Sequence, residues 1–293
     1  MITPTPQQAI RDLSRLPGLW WRVLRAGYLR FGFGGAPLLA AAVSFYAVIS
    51  LGPLVLLIAS LLQLILGPGG NSYQWLRQAL SDLAGSAVDQ ILPAVDGLLT
   101  NPDAYVAGAI SLAMVLWGGH RLFDTIERSL TGIWPGGRFR GILHRKLVCL
   151  TAMAVACVLL AAFVVLEAGL AAAAAWLSRF PQVDRAALTA ARTPLVVVGE
   201  FLTCALAFGL LYKFMPVQKV PTRVAAVGAL WAAVLWVAAS PLFAFSVSHT
   251  YQRGALYGGL AGVVVFSFWA LLGAEVLMFG AHFALAYEHV FVL

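Results

Sequence analysis

Long apolar runs, separated by short polar segments, set the pattern of the whole chain. Six of them reach or approach the roughly 20 residues that a helix needs to cross a bilayer. Hydrocarbon offers the backbone no partners, so such runs are expected to satisfy their hydrogen bonds internally as α-helices. The pattern predicts an all-α, polytopic membrane protein with a single membrane domain over residues 1–293. The predicted spans are 38–66, 104–119, 147–177, 194–214, 222–247 and 255–287.

The N-terminal region, residues 1–34, carries an amphipathic pattern. Between residues 7 and 31, leucines and aromatic residues recur near one face, and five arginines supply the polar surface. This arrangement is typical of a helix that lies in the membrane interface. Pro17-Gly18 is expected to interrupt that helix.

Two further segments are amphipathic. Residues 71–103 carry an aspartate at every seventh position from Asp82 to Asp103, with apolar residues between them. We expect short helices on the outer membrane surface here, with the aspartates as a solvated face, since they lack the spacing of cation ligands. Residues 122–133 have apolar positions at helical spacing, and Asp124 and Arg128 form an i,i+4 pair.

The composition agrees with a membrane protein. Hydrophobic residues make up 61% of the chain and charged residues 11%, whereas a soluble domain is nearer half apolar and about a quarter charged. Together with a mean hydropathy of +0.88, these values exclude a disordered chain, a coiled coil and an ordinary soluble enzyme.

The basic residues predict an orientation. Fourteen of the 19 Lys and Arg fall in the N-terminal region and in the loops after the second and fourth predicted spans, and five fall in the other loops. The positive-inside rule then places both termini in the cytoplasm and residues 71–103 in the periplasm. The net charge of +7 is therefore expected to meet lipid headgroups rather than nucleic acid.

Four motifs lie in order along nearly the whole chain. They are Ala41-Ala42-Val43-Ser44-Phe45-Tyr46-Ala47 with Ser50 and Pro53; Val115-Leu116-Trp117 with Arg121, Leu122, Phe123, Leu130, Ile133 and Trp134; Leu211-Tyr212-Lys213-Phe214-Met215-Pro216 with Lys219; and Leu256-Tyr257-Gly258-Gly259-Leu260-Ala261 with Trp269 and Gly280-Ala281. Their order and spacing resemble the YihY/BrkB family of bacterial inner-membrane proteins.

The resemblance implies six transmembrane helices with both termini inside, in agreement with the charge count. Members of the family have been linked to export of envelope lipids, to ion transport and to virulence, and an older label, ribonuclease BN, is attached to it. The family usually carries Gly-Ala-Glu near the end of the last helix. Here His282 replaces that glutamate, and Glu275 lies two turns earlier on the same face.

Four ionisable side chains fall within predicted spans, where a charge is costly and needs a reason. They are Glu167, Glu200, Glu275 and His282. A carboxyl group there could carry a proton or bind a cation. The alternative is a protonated or hydrogen-bonded glutamate that fastens two helices together.

Basic residues cluster at the cytoplasmic side of the prediction. Those that could contact a lipid phosphate are His120, Arg121, Arg128, Arg145 and Lys146. The alternative for His120 and Arg121 is an anchor at headgroup level. Gly254, Gly258 and Gly262 form GxxxGxxxG, which predicts close helix packing inside the monomer, with self-association into a homo-oligomer as the alternative.

The sequence carries no pattern that predicts an enzyme. The five histidines show no HxH or HxxxH spacing, the three cysteines no metal spacing, and no phosphate-binding glycine loop occurs. We therefore expect no metal, no cofactor and no nuclease activity.

Three functions fit the predicted architecture. The first is transport or handling of phospholipid or another anionic amphiphile, with membrane lipids and an envelope protein as partners. The second is ion-coupled transport that uses the intramembrane glutamates. The third is a scaffold that transports nothing and docks a partner through residues 71–103.

Overall fold

The computed structural model describes residues 18–66, 104–134, 140–178, 180, 185–251 and 261–291. These residues form seven α-helices. In chain order they are α1 (Leu19–Phe33), α2 (Ala36–Leu66), α3 (Ala104–Ile133), α4 (Ile142–Leu177), α5 (Arg185–Phe214), α6 (Thr222–Tyr251) and α7 (Ala261–Phe291). The all-α fold class predicted from the hydrophobic runs is confirmed.

Glycines set both ends of α1. The helix begins after Gly18, whose φ of 85° lies in the left-handed region that favours glycine. It ends at Gly34, and Gly35, with a φ of 68°, turns the chain into α2. The two helices meet at an angle of 69°. The predicted break at Pro17-Gly18 thus coincides with the start of α1, and the earlier part of the predicted interfacial helix lies outside the described residues.

Four described helices are long and apolar enough to cross a membrane. They are Ile142–Leu177, Arg192–Phe214, Thr222–Phe243 and Val263–Phe291. The bent pair Leu19–Phe33 and Ala36–Ser50 passes the same test as one element and would make a fifth crossing. The described helix α3 is not counted among them, because His120 and Arg121 closely follow its apolar stretch and shorten the apolar length. The total of six spans therefore stays a prediction.

The helix α3 contains two segments that the sequence predicted as separate elements. The second span and the amphipathic helix after it were predicted as separate elements, but α3 runs without a break from Ala104 to Ile133. Gly118-Gly119 lies at this junction, but residues 104–134 contain no proline, so every backbone N–H there can continue the helix.

The described residues divide into two compact units. The first contains residues 18–40, 123–241 and 275–291 within its bounds, and the second contains 41–122 and 242–274. In the first unit, Val23 and Ala26 of α1 pack against Phe283 and Ala286 of α7. Trp231 of α6 stacks on Phe283 with ring centroids 5.0 Å apart. This cluster joins three helices of the first unit.

Small residues allow α6 and α7 to approach closely. A Cβ atom on Gly228 would lie 2.6 Å from the Cβ of Ala284 and 2.9 Å from the carbonyl oxygen of Gly280. A Cβ on Gly280 would lie 2.7 Å from the Cβ of Ala232. Real Cβ contacts are not this short, so the crossing requires glycine at both positions. The buried Tyr212 of α5 completes the contact by donating its hydroxyl to the carbonyl of Leu277 at 2.8 Å.

In the second unit, α2 and α3 meet at a small residue as well. A Cβ on Gly118 would collide with the hydroxyl of Ser50. That hydroxyl instead donates to the carbonyl of Tyr46 at 2.8 Å, within its own helix. The family motifs that contain Tyr46, Ser50 and Trp117 therefore lie at or beside a tight helix contact.

Candidate functional site

Two buried carboxylates stand at the junction of α3 and α4, in the first unit. Asp124 and Glu127 are 5% and 3% exposed. Asp124 is paired with Arg128 at 3.1 Å and with Arg145 at 2.7 Å. Glu127 is paired with Arg140 at 3.5 Å and lies 4.0 Å from Arg145. We call these five residues the carboxylate cluster.

Arg140 ties this cluster to the end of α5. Its guanidinium donates to the carbonyl oxygens of Phe214 at 3.0 Å, Met215 at 2.8 Å and Pro216 at 3.0 Å. The last carbonyls of a helix have no partner within the helix, so a guanidinium at this place satisfies groups that would otherwise need water. Arg140 therefore holds three segments of the chain together: α3, its own segment and the end of α5.

Burial and charge act in opposite directions on Glu127. Burial raises the pKa of this carboxyl, while the guanidinium groups of Arg140 and Arg145 pull that pKa down. The effect of burial is the larger, so the pKa lies above its ordinary value. The cluster is thus a structural ion-pair network in which one member ionises less readily than usual.

A cavity of about 520 Å³ lies elsewhere in the first unit, between α1, the start of α2, the end of α3 and α7. Its charged and titratable lining consists of Arg30, Arg128 and His282. Among the described residues that line it there is no Asp or Glu. We call it the cationic cavity. Its volume falls within the roughly 300–1,000 Å³ usual for ligand sites.

The walls of the cationic cavity are mostly apolar. Leu29 and Phe33 come from α1, Ile133 from α3 and Leu285 from α7. Gly132 also lines it, and a Cβ built on this glycine would meet nothing within 4 Å. The cavity therefore combines cationic side chains with apolar walls, which suits a molecule that is anionic at one end and apolar elsewhere.

The two arginines of the cavity are held differently. Arg128 is 62% exposed in its side chain and uses Nε for Asp124, which leaves its terminal nitrogens available to a ligand. Arg30 is half-buried, and the ion pairs among the described residues include no carboxylate for it. A half-buried cation without a carboxylate is stabilised by an anionic ligand.

His282 is the third polar member. It is 5% exposed, and its Nδ1 donates to the carbonyl of Met278 at 2.8 Å. Since a carbonyl only accepts, the proton of the neutral ring sits on Nδ1. The other ring nitrogen, Nε2, faces Gly34, and a Cβ built on that glycine would lie 3.1 Å from Nε2. The histidine that replaces the family's usual glutamate thus adds no negative charge to the cavity.

The three intramembrane glutamates have separate surroundings. Glu167 on α4 is half-exposed and pairs with Arg192 of α5 at 3.8 Å, a base on a neighbouring helix. Glu200 on α5 accepts hydrogen bonds from Trp236 at 3.0 Å and Ser240 at 3.4 Å, both on α6. No contact among the described residues joins these glutamates to each other or to the partly buried Glu275.

The remaining predicted site residues are dispersed. In the second unit, Arg121 lies over the ring of Trp117, 5.9 Å from its centroid, and Nδ1 of His120 is buried without a partner among the described residues. In the first unit, Lys146 is exposed, and Arg145 is engaged by Asp124 rather than free for a lipid. Gly254 and Gly258 lie outside the described residues, as does segment 71–103, and Gly262 falls in the first turn of α7.

Sequence reasoning missed Arg30, Glu127 and Arg140 as individual site residues. Glu127 could have been suspected, since an acid among the apolar positions of 122–133 needs a partner. Nothing local distinguishes Arg30 or Arg140 from other arginines, because their roles depend on contacts with distant segments. Among the described residues, no group of three His, Cys, Asp or Glu could hold a metal ion.

The fold and these sites define the class of the protein: a polytopic α-helical membrane protein with a buried ion-pair network. The family model for virulence factor BrkB matches residues 28–292. The chain belongs to this family, as the four motifs predicted.

Curated relatives carry the description UPF0761 membrane protein. One from Alkalilimnicola ehrlichii is 30% identical over 165 residues, which is 56% of this chain and 36% of the relative. One from Pseudomonas paraeruginosa is 28% identical over 257 residues, 86% of this chain and 59% of the relative. The chain thus spans about a third to three fifths of the length of these relatives. No solved structure matches it significantly.

Proposed function

We propose that this protein handles lipid in the bacterial cell envelope, by moving or presenting phospholipid or another anionic amphiphile. The observation that supports it is the cationic cavity, in which Arg30 and Arg128 stand among apolar walls. An acyl chain gains by leaving water for such walls, and a phosphate is well matched to arginine donors. We assign the protein no catalytic role.

The proposal includes a location and partners. By the distribution of Lys and Arg, the protein would lie in the inner membrane with both termini in the cytoplasm. The cationic cavity would then open at the level of the inner-leaflet headgroups. Its partners would be membrane lipids, with an envelope protein as the second partner.

Reconstitution tests this function directly. The purified full chain is placed in liposomes that contain fluorescent phosphatidylglycerol, and movement between leaflets is followed by quenching from outside. We expect faster movement than in protein-free liposomes, and Arg128→Gln should slow it. Lys146→Gln, an exposed basic residue that does not line the cavity, is the matched control. Movement at the protein-free rate would refute lipid movement as the function.

A second candidate is proton- or cation-coupled transport. Glu200 supports it, because this carboxylate lies within a predicted span and is oriented by Trp236 and Ser240. Flux in the same liposomes should then fail in Glu200→Gln, which keeps an acceptor oxygen but cannot carry the charge. Full flux in this variant, in Glu167→Gln and in Glu275→Gln would exclude the candidate and leave Glu200 as a fastener between α5 and α6.

A further inference from the structure

The polar lining of the cationic cavity is one-sided in charge. Two guanidinium groups and one imidazole contribute to it, and the described lining residues include no carboxylate. The nearest candidates for a negative group, Asp124 and Glu127, belong to the carboxylate cluster and already accept from arginines. A ligand that enters the cavity therefore meets cations that lack a counter-charge within its walls.

This asymmetry discriminates between lipid headgroups. A phosphate without an amine, as in phosphatidate or phosphatidylglycerol, brings only negative charge to Arg30 and Arg128. A zwitterionic headgroup such as phosphatidylethanolamine also brings an ammonium, which would be placed near two guanidinium groups. The described lining residues include no acid to receive it, and Asp124 beside Arg128 is already paired with two arginines. Like charges close together in a partly apolar site cost more than they do in water.

We propose that the cationic cavity is a binding site for amine-free, phosphate-bearing lipids, and that Arg30 and Arg128 select them by charge. Apolar residues such as Phe33 and Leu285 would cover the start of the acyl chains. This inference rests on the proposed function and deepens it, since it names the headgroup that the same cavity recognises. A lipid and a soluble phosphate ester both carry the phosphate group that the arginines would bind. A soluble phosphate ester is therefore the alternative ligand.

The geometry allows a test that changes no charge. Gly132 lines the cavity, and a Cβ built on this glycine would have no atom within 4 Å. Gly132→Leu should therefore fill the cavity while every arginine stays in place. Gly169 on α4 is equally open and does not line the cavity, so Gly169→Leu is the matched control.

Charge is tested separately. Arg30→Gln removes the half-buried cation, and Arg25→Gln removes an exposed arginine of the same helix that does not line the cavity. Losing a charge-assisted hydrogen bond typically weakens binding roughly tenfold. Arg30→Lys restores the charge and should recover part of the binding if the Gln variant is folded.

The measurement is native mass spectrometry of the full chain after exposure to equal amounts of dioleoyl phosphatidate, phosphatidylglycerol and phosphatidylethanolamine. We expect the first two to be enriched severalfold over the third. The enrichment should vanish in Gly132→Leu and Arg30→Gln and persist in Gly169→Leu and Arg25→Gln. Equal retention of all three lipids, or enrichment that survives both cavity variants, would overturn the proposal.

Two further readouts separate the possible sources and the two proposals. Binding of glycerol 3-phosphate as tight as that of phosphatidate would show that the acyl chain is unused and would overturn the assignment to a lipid. Selective lipid binding without movement in liposomes would refute lipid movement as the function and leave the binding site intact. Movement without headgroup selectivity would support lipid movement and refute the headgroup-selective site.

Discussion

Arg140 illustrates how much one side chain can hold in this protein. It meets the carboxylate of Glu127 and three consecutive carbonyl oxygens at the end of α5. Its own side chain is 16% exposed, so water cannot easily replace these contacts. The residue is therefore a fixed joint between segments that are far apart in sequence.

Removing that joint should be costly. We expect Arg140→Gln to lower the free energy of unfolding by about 3 kcal/mol, because a buried carboxylate is left with a weaker partner. Unfolding in mixed micelles, followed by tryptophan fluorescence, measures the change. Arg128→Gln is the control and should cost less than about 1 kcal/mol, since the Arg128 side chain is exposed and Asp124 keeps Arg145 at 2.7 Å. Equal losses in both variants would show that Arg140 has no special role.

The raised pKa of Glu127 predicts a pH dependence. Because the pKa in the folded protein lies above the ordinary value of 4.5, the folded state holds a proton that the unfolded state has released in the interval between them. Stability from this group therefore falls as pH rises through that interval. Subtracting the unfolding free energy of Glu127→Gln from that of the wild type, starting at pH 4.5, isolates the effect. A difference that grows with pH would contradict it.

Residue-scale prediction from sequence succeeded where the contact is local. The pair of Asp124 and Arg128, four residues apart on one helix, was predicted and is present. The ion pair of Arg145 with Asp124, at 2.7 Å, was not predicted. That contact joins two helices, so spacing along the chain carries no record of it.

At the scale of elements, small residues decide how closely helices approach. The predicted packing motif was the glycine series from Gly254 to Gly262, much of which lies outside the described residues. Among the described residues, close contacts occur where Gly228 and Ala232 of α6 meet Gly280 and Ala284 of α7. Both pairs have the small-xxx-small spacing that favours close packing. The signal was therefore present in the sequence, although many such pairs occur in a chain so rich in alanine.

The α6–α7 crossing can be tested with one methyl group. Gly228→Ala would place a Cβ 2.6 Å from Ala284, so the helices must separate. We expect a loss of about 1–3 kcal/mol in the free energy of unfolding, as for other overpacked cores. Gly169→Ala has open space at its Cβ and should leave stability unchanged or raise it. An unchanged Gly228→Ala would mean that the crossing is loose.

Helix ends coincide with glycine where the chain carries it at a turn, and elsewhere they are set by the extent of the helix rather than by hydropathy. Gly18 and the Gly34-Gly35 turn delimit α1. The span predicted from residue 194 begins earlier, at Arg185, because hydropathy reports where the apolar stretch starts and not where the helix starts. The helix α3 continues through its polar residues for the same reason.

At the scale of the whole molecule, orientation remains the main prediction from charge. We expect a fluorescent reporter fused after residue 141 to be active in the cytoplasm, because basic residues concentrate around this position. A reporter fused after residue 293 should be active there too, because four predicted spans separate the two positions. Of three fusion positions, after residue 141, after residue 293 and within residues 71–103, only the last should activate a periplasmic reporter. The opposite pattern would invert the bundle and place the cationic cavity at the outer leaflet.

Hydrophobic patterning predicted the class of the molecule, and the family model confirmed the resemblance. The cavity could not be predicted, because its lining comes from four helices that are up to 256 positions apart, from Leu29 to Leu285. Composition tells which residues can enter a membrane. It does not tell which of them will face one another.

The pairing of Glu167 with Arg192 has a consequence for biosynthesis. A single charge near the centre of a helix costs up to about 3 kcal/mol when the insertion machinery passes that helix to the lipid. Since α4 and α5 are adjacent in the chain and carry opposite charges that meet at 3.8 Å, they can enter as a neutral hairpin. We therefore expect α4 to wait at the translocon until α5 has emerged from the ribosome, so that the two helices leave together.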